Sequence, residues 1–577
     1  MYFPPLFSAL RASFAAGYSR QALRGDIAAG LTVGIIAIPL AIALAIAVGA
    51  APQHGLYTVL VAGAVIALTG GSRFNVSGPT AAFVVILLPI TQKFGVGGLL
   101  LCTAMAGVIL IIMAFLRAGS LIQFIPYPVV LGFTAGIGVV IATMQIPDAL
   151  GLSGMLAPEN YIERLSTIVT ALPSIQLGDS LVVFFTLAVL IYWPKFFPKI
   201  PSFLVAIIAG ALLAALLNAF DISVATLGQR YSYELEGISY PGIPPFLPSF
   251  QWPWQIVGAE GQTLQLSFEL FNQLLGPALA IAMLGAIESL LCAVISDGMA
   301  GTKHDPNGEL LGQGIGNIIA PMFGGITATA AIARSAVNVR SGAFSPIAAI
   351  IHAAVVLVVI GLFAGWFSYL PMAGLAALLL MVAWNMSEPK LVIHAIRVAP
   401  RHDVLVLITC FSLTVLFDMV LAVSVGLLLA AALFIKNMSE LTGITSMSRE
   451  QFPALGELPE SVIKYTITGP LFFGAAERAL STLRRMTPGL RIVVINIHAV
   501  PIIDMTALVA LSNVISDYHK QGISIIFVGA EAKVERKMQK AGLQAQAGKL
   551  AYASNFNLAK EYAQQWLIEQ EAAIQAK

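Results

Sequence analysis

Four long stretches of this chain contain no aspartate, glutamate, lysine or arginine. They cover residues 27–72, 74–92, 310–333 and 341–387. Each unpaired charge in hydrocarbon costs roughly 2.5–3.5 kcal/mol on insertion scales, so stretches of this kind are typical of bilayer helices. Residues up to about 440 therefore form a membrane domain. Residues 441–577 regain charges and have only short apolar runs, which indicates a soluble C-terminal domain.

The overall composition agrees with a polytopic membrane protein. Of 577 residues, 58% are hydrophobic and 10% are charged, whereas soluble proteins contain about 25% charged residues. The net charge of +2 gives no sign of a nucleic-acid partner, and none is expected. The three cysteines are too far apart to suggest a zinc site, and no HExxH motif occurs, so neither a metal nor another cofactor is expected. No nucleophile–base constellation suggests an enzyme, and no cleavable signal peptide is expected.

A helical span needs about 20 residues to cross the bilayer core. Apolar runs, interrupted by glycine, proline and charge, predict fourteen spans. The last long run contains Asp418 and is split there into two spans. The predicted spans lie near 27–48, 55–70, 78–90, 96–116, 125–146, 177–193, 202–220, 269–293, 312–324, 331–342, 345–368, 370–386, 402–417 and 419–436.

The distribution of lysine and arginine predicts the orientation of these spans. With the N-terminus inside, the inside loops contain most of the basic residues and the two long outside loops, 147–176 and 221–268, are rich in acids. This bias fits the positive-inside rule, with Lys93 and Arg230 as exceptions. An even number of spans then places both termini in the cytoplasm.

Two predicted spans, 78–90 and 331–342, are too short and are flanked by helix-breaking sequences, Ser77-Gly78-Pro79 and Gly324-Gly325. They occupy the third position in each set of seven spans. Paired short segments interrupted by glycine or proline are the best pointer in a sequence to the central site of a transporter.

Arg334 follows 24 residues without a charge and lies at the start of the second short segment. A guanidinium beside a helix N-terminus can bind an anion. The segment around Gly78 and Thr80 offers a second helix N-terminus, with Pro79 suited to the first turn. Two facing N-termini would hold an anion through backbone N–H groups. The alternative is that Arg334 is a side chain reaching the interface from a loop.

Glu288 interrupts a deep apolar run. Burial favours the neutral form of a carboxyl, which suits a carrier of protons, so Glu288 is a candidate coupling group. It could instead be a buried acid that only pairs with a neighbour. Asp418, a second intramembrane acid, is interpreted as a helix-end or packing residue. The polar stretch 297–309 is predicted to be a loop.

The sequence of the C-terminal tail, residues 441–577, predicts a small α/β domain. Residues 462–468, 491–497 and 523–528 are predicted strands, and residues 506–520 form a predicted amphipathic helix. Asp504 and Thr506 lie at a strand-to-helix turn, where a helix cap is the simplest role and a phosphorylated or ligand-binding turn is the alternative.

Six motifs stand out in the chain: APQHGLYT at 51–58, GGSRFNVSGPTAAFVVIL at 70–87, GAIESLLCAV at 285–294, GQGIGNIIAPMFGGITATAAIARSAVNVRSGA at 312–343, VLFDMVLAVSVG at 415–426 and VINIHAVPIIDMTAL at 494–508. Together they resemble the SulP anion transporter family, over residues 1–570, and the tail resembles the STAS domain of that family. Within the family, the match is closest to the bacterial branch of aerobic C4-dicarboxylate transporters.

The resemblance implies a 7+7 inverted repeat with two half-helices, in which a core domain moves against a gate domain. It implies a substrate site between the third and tenth helices, walled by residues of the first helix, and it makes Glu288 the acid of the eighth helix. The implied substrate-binding residues are Gly78, Thr80, Ala81, Leu40, Leu44, Ala333, Arg334 and Ser335.

Departures from two branches of the family narrow the expected chemistry. Sodium-dependent bicarbonate transporters have Asp at the position of Glu288, Thr at that of Cys292 and a hydroxyl residue at that of Ile332. These differences favour protons over sodium. Animal relatives have polar residues at the positions of Ala37 and Leu40, which disfavours chloride or sulfate exchange.

The expectation is a proton-coupled importer of C4-dicarboxylates (succinate, fumarate, aspartate) in the bacterial inner membrane. Its partners would be the lipid bilayer, a second copy in a homodimer and a cytoplasmic protein at the STAS domain. The expected division is an N-terminal segment 1–26, a transport domain 27–436, a linker 437–460 and a STAS domain 461–570. Alternatives are a sulfate or bicarbonate transporter of the same fold, a channel, and an anion-binding membrane sensor.

Overall fold

The structure is a computed structural model in which the chain forms two compact units, Met1–Leu427 and Leu428–Lys577. It describes residues 4–120, 125–152, 161–198, 200–235, 238–256, 264–417, 419–440, 442–447, 461–476, 480, 483 and 489–575. Asp418 therefore lies outside the described residues.

The chain up to Glu440 consists mainly of helices. In chain order they are α1 (Ser8–Ala15), α2 (Arg20–Ala47), α3 (Pro52–Thr69), α4 (Val84–Phe115), α5 (Tyr127–Leu150), α6 (Tyr161–Ala171), α7 (Leu177–Phe196), α8 (Ser202–Ala219), α9 (Leu227–Arg230), α10 (Phe268–Ala300), α11 (Pro306–Ile319), α12 (Ile332–Arg340), α13 (Ile347–Phe363), α14 (Met372–Ser387), α15 (Pro389–Val398), α16 (Arg401–Leu416) and α17 (Met419–Glu440).

Each of the fourteen predicted spans corresponds to one of these helical segments, so the predicted class of a helical polytopic membrane protein is confirmed. Ten helices within the described ranges are long and apolar enough to cross a membrane. α11, α12 and α16 are shorter, with 14, 9 and 16 residues. α4 includes the second half of the predicted span 78–90 and nearly all of the span 96–116, and Gly95 between them interrupts the helical geometry with φ 71° and ψ −176°. That backbone conformation is readily adopted only by glycine.

The first long helix begins at Arg20, seven residues before the predicted span. Asp26, in the second turn of this helix, is buried, and hydrogen bonds to its carboxylate make that burial possible. Its carboxylate accepts hydrogen bonds from the Phe344 N–H (2.6 Å), the Ser345 N–H (3.0 Å) and the Tyr18 hydroxyl (2.8 Å). This contact ties the start of α2 to the turn between α12 and α13.

The prediction of a loop over residues 297–309 is wrong at both ends. α10 continues to Ala300, and Asp305 caps α11 by accepting hydrogen bonds from the N–H groups of Asn307 and Gly308, each at 3.0 Å. A helix can contain these polar residues because their side chains are bonded within the protein.

Two-residue strands precede each broken helix. β1 (Ser77–Gly78) and β4 (Thr329–Ala330) pair antiparallel, with Ser77 opposite Ala330 and Gly78 opposite Thr329. A separate hairpin is formed by β2 (Ser232–Leu235) and β3 (Ile238–Pro241). The pairing of β1 with β4 brings together two chain segments that are about 250 residues apart in sequence.

The second unit contains a five-stranded sheet in the order β5-β6-β7-β8-β9. The strands are β5 (Gly443–Met447), β6 (Val462–Thr468), β7 (Ile492–Ala499), β8 (Ser524–Val528) and β9 (Leu550–Ala553), and the helices after β7 are α18 (Met505–Lys520), α19 (Ala532–Lys540) and α20 (Phe556–Gln575). β5 is antiparallel to β6, and the other pairs are parallel. β5 and the end of α17 fall in the stretch predicted as a linker.

Both faces of this sheet are covered, which explains the unbroken apolar run of β7. Val493 and Ile495 pack on the face that carries α18 and α19. Ile492 and Val494 pack on the face that carries α20. Strands of a parallel sheet that are buried on both faces read as continuous apolar runs. At the turn before α18, the Asp504 carboxylate accepts a hydrogen bond from the Ala507 N–H at 2.8 Å, so Asp504 caps the helix.

Candidate functional site

The two predicted short segments start from the same place in the fold. The β1–β4 pair continues through a hydrogen bond from the Ala331 N–H to the Val76 carbonyl at 3.1 Å. One chain then leaves through a 3-10 turn, Ala81–Phe83, into α4, and the other leaves into α12. Thr80 and Ala331, the residues just before these helical turns, are both extended.

Neither of these helix starts has a side-chain cap. The first N–H groups of a helix have no acceptor within that helix, and they carry the positive end of its dipole. Two such starts beside one β-bridge place several donors around a small volume. This geometry suits an anion.

Arg334, in the first turn of α12, is directed towards the other helix start. Its side chain is 5% exposed, and its Nη2 donates a hydrogen bond to the Pro79 carbonyl at 2.7 Å. Gly78 makes room for it, because a Cβ at that position would lie 2.7 Å from Nη1. The guanidinium therefore lies where the two segments cross, and Arg334 belongs to a helix and not to a loop.

Glu288 comes to the same place from α10. Its Oε2 accepts a hydrogen bond from the Thr80 hydroxyl at 3.0 Å, and the residue is partly exposed. Thr80 itself is buried, and it lies at the start of the first of the two short segments. Among the ion pairs of the described residues, none within 4 Å joins Glu288 to Arg334. The site thus contains a guanidinium, a carboxyl group and two helix N-termini, and the guanidinium and the carboxyl group do not form a direct ion pair.

The other predicted site residues lie in different environments. Ala81 is buried beside Thr80, whereas Ala333 is exposed. Ser335 is buried, and its hydroxyl accepts a hydrogen bond from the Val76 N–H at 2.9 Å, which is a bond that holds the two segments together. Leu44 is buried and Leu40 is half-buried on α2. Their role as a wall of the site stays a prediction.

A buried carboxylate behind the site was missed at the sequence level. Glu309, in α11, is 1% exposed. Its two oxygens accept four hydrogen bonds: from the N–H groups of Gly71 and Ser72 (both 3.0 Å), from Asn75 Nδ2 (2.8 Å) and from Gln313 Nε2 (3.1 Å). A buried charge bonded this completely fixes the chain that leads into β1.

The network continues along one face of α11. Gln313 Nε2 also donates to the Ser77 hydroxyl at 3.1 Å. The Asn317 amide donates to the Ala328 carbonyl and accepts from the Ala328 N–H, both at 2.8 Å. Glu309, Gln313 and Asn317 thus hold the segments that contain β1 and β4. Their spacing of four residues was a readable signal, because it places all three on one helical face.

Comparisons with known proteins agree with this architecture. Residues 23–410 match the Sulfate permease family, and residues 457–553 match the STAS domain. A Bacillus subtilis (strain 168) protein, YvdB, provisionally named a sulfate transporter, is 39% identical over 534 residues, which cover 92% of this chain and 96% of that protein. The bicarbonate transporter BicA of Picosynechococcus sp. is 30% identical over 544 residues and 90% of each chain.

Two solved structures resemble the fold. The transmembrane domain of a cyanobacterium bicarbonate transporter BicA has a TM-score of 0.59 and 27% identity, over 71% of this chain and 98% of that chain. The overall structure of SLC26A9 has a TM-score of 0.81 over 98% of this chain and 94% of that chain, and at 15% identity it supports the fold alone.

The fold and the site together define a multi-pass membrane protein of the anion-transporter class, with a STAS domain at its C-terminal end. The chain belongs to the sulfate permease family, in which the named relatives are sulfate and bicarbonate transporters.

Proposed function

We propose that this protein is a secondary transporter that imports C4-dicarboxylates such as succinate, fumarate or aspartate together with protons across the bacterial inner membrane. The observation that supports it best is the meeting of two uncapped helix starts, the buried Arg334 and Glu288 at one point of the fold. Arg334 and the helix N–H groups would bind a carboxylate of the substrate.

Glu288 would carry the proton. A carboxyl next to the bound anion is easier to accommodate when it is protonated, because two negative charges close together repel each other. The Thr80 hydroxyl can donate to the ionised carboxylate and can accept from the protonated form, so it holds Glu288 in both states. The anion and the proton would then move together.

Bicarbonate and sulfate are the second candidate substrates, because proteins named for them are similar to this chain over nine tenths of its length. A binding site made of one arginine and backbone N–H groups suits any of these oxyanions. The remaining alternatives are a channel and a sensor that binds an anion without moving it.

The test is uptake into proteoliposomes that contain the purified full-length protein. Radiolabelled succinate, fumarate, aspartate, bicarbonate and sulfate are offered with an inward proton gradient and without sodium. We expect saturable accumulation of a C4-dicarboxylate that increases as the outside pH falls. Accumulation of bicarbonate or sulfate alone would reject the substrate, and binding without any uptake would favour the sensor.

Glu288→Gln tests the coupling in the same vesicles. We expect this variant to bind substrate and to exchange internal for external substrate, because exchange needs no net proton movement, but to lose accumulation against a gradient. Glu269→Gln, on the exposed first turn of the same helix, is the matched control. Accumulation by Glu288→Gln at the wild-type level would exclude Glu288 as the coupling group.

The assembly belongs to the proposal as well. Both termini would lie in the cytoplasm, the protein would act as a homodimer, and the STAS domain would bind a cytoplasmic protein. Cross-linking in native membranes tests the dimer, and protease digestion of sealed inside-out vesicles tests the position of the STAS domain.

A further inference from the structure

A short helix, α15, joins α14 to α16 and contains none of the candidate site residues. Glu388 precedes it in a left-handed conformation, with φ 41° and ψ 53°, and Pro389 is its first residue. A left-handed residue ends a helix, and proline suits the first turn of the next one. The chain therefore turns at Glu388, and α15 is not a continuation of the membrane span α14.

None of the ten residues of α15 is buried. Its large apolar side chains are mostly exposed: Leu391, Ile393, Ile396 and Val398. A helix of ten residues is marginal in water by itself, and most helices in proteins gain their stability when an apolar face is covered. The apolar side chains of α15 therefore need a covering surface that the described part of the chain does not supply.

The basic side chains of α15 lie on one face. Lys390, His394 and Arg397 follow one another at intervals of four and three residues, which places them on the same side of the helix. All three are exposed, and the ion pairs within 4 Å among the described residues involve none of them. The helix itself contains no acid. Exposed apolar side chains therefore flank a row of basic ones on both sides.

Aromatic side chains indicate that α15 lies at a membrane–water interface. Trp384, four residues before the turn at Glu388, is exposed. Tyr127, the first residue of α5, is exposed as well, and α5 is a helix that α15 contacts. Tryptophan and tyrosine are enriched at the two membrane interfaces. Leu405 and Ile408 continue the exposed apolar surface along α16, where lipid chains would cover it.

The lipid headgroups are then the groups that the basic row meets. A helix with apolar side chains beside a basic face lies in the plane of the interface. Basic residues next to the cytoplasmic end of a membrane helix attract anionic lipids, and the proposed orientation places α15 on the cytoplasmic side. A zwitterionic headgroup has no net charge, so it is attracted less.

We propose that α15 is a binding site for anionic phospholipids of the inner leaflet, with Lys390 and Arg397 as ligands of the lipid phosphate. A guanidinium can donate two parallel hydrogen bonds to a phosphate, and an ammonium attracts it as a point charge. The apolar flanks, among them Ile393, would be inserted between the acyl chains. The proposal is independent of which anion the protein transports.

The first test measures which lipid surrounds α15 in nanodiscs that contain the full-length protein. Ile393→Cys carries a bimane label, whereas the three native cysteines are buried. The label is quenched by brominated phosphatidylglycerol or by brominated phosphatidylcholine at equal mole fraction. We expect phosphatidylglycerol to quench at least about two-fold more effectively at low salt. The preference should disappear at about 1 M salt, where the Debye length is only about 3 Å.

A pair of double variants identifies the residues responsible. Lys390→Gln with Arg397→Gln should remove the preference and keep the quenching by both lipids, because the apolar flanks remain in the membrane. Lys533→Gln with Arg536→Gln makes the same change of charge at exposed positions of α19 and should keep the preference. Equal quenching by the two lipids in the otherwise wild-type protein would overturn the proposal. Quenching by neither lipid would show that a protein surface covers α15, and would overturn it too.

Thermal unfolding in detergent is a second measurement that needs no label. Added phosphatidylglycerol should raise the Tm of the wild type more than phosphatidylcholine does, and this difference should fall by at least about half in Lys390→Gln with Arg397→Gln. The control with Lys533→Gln and Arg536→Gln should respond as the wild type does. An unchanged difference in the first double variant would overturn the site. An equal rise with inorganic phosphate would overturn the assignment to a lipid.

Discussion

Replacement of Arg334 by alanine should weaken anion binding while the protein still folds. The lost interaction is a charged hydrogen bond to the substrate, worth about 1.5–3 kcal/mol. At about 1.4 kcal/mol for each factor of ten, the dissociation constant should increase roughly 10- to 150-fold. The fold also loses one donor, because the Pro79 carbonyl accepts from Arg334 Nη2 at 2.7 Å. That loss costs about 1–3 kcal/mol of unfolding free energy, spread over a large domain.

Equilibrium binding of radiolabelled succinate to purified, monodisperse protein measures the effect, and thermal unfolding in the same detergent measures the fold. Arg340→Ala is the matched control, because Arg340 is the last residue of the same short helix and is exposed. It should bind as the wild type does. Arg334→Lys keeps the charge but cannot form the two-pronged contact of a guanidinium, so its affinity should fall between those of the wild type and Arg334→Ala.

Two results would refute this reasoning. Wild-type affinity in a folded Arg334→Ala variant would show that the guanidinium does not touch the anion and serves only to join the two segments. An equal loss of affinity in Arg340→Ala would show that binding responds to the net charge of the region and not to the position of Arg334.

Three further changes test the surroundings of the site. Glu309→Gln should lower the unfolding free energy by at least about 2 kcal/mol, since an amide cannot accept all four hydrogen bonds; an unchanged melting temperature would contradict this. Gly78→Ala should reduce succinate affinity, because its Cβ would displace the Arg334 guanidinium; wild-type affinity would show that this position of the guanidinium is not required. Removal of residues 442–577 should leave a membrane-inserted, monodisperse first unit, as judged by gel filtration; aggregation would contradict the division into two units.

The membrane spans were predictable because hydropathy alone determines them. A bilayer helix must satisfy its own backbone and exclude charge, so the apolar runs give the number of helices and their approximate positions. The break between α16 and α17 was found in this way. The early start of α2 was not, because Asp26 appears in the sequence as an exposed acid. Its burial is stabilised by hydrogen bonds from the turn before α13, which the local sequence does not reveal.

The half-helices were predicted from their shortness, but the way they meet was not. β1 and β4 have two residues each, too few to show an alternating pattern, and they pair across about 250 residues of chain. The direction of the Arg334 side chain depends on that pairing and on the empty space at Gly78. The local sequence therefore indicated an anion site. The geometry of that site could not be predicted, because it depends on how the two segments pair in the folded protein.

The polar face of α11 shows what a stricter pattern rule would have found. Glu309, Gln313 and Asn317 recur every four residues in a stretch that is otherwise almost entirely apolar. Placing a polar group in hydrocarbon costs free energy. Three polar side chains on one helical face must therefore form hydrogen bonds with a neighbouring segment. Their partners are the chain before β1, β1 itself and the chain before β4. The same spacing that marks α11 as a membrane helix with one polar side thus identifies the scaffold that holds the two N-termini of the site in place.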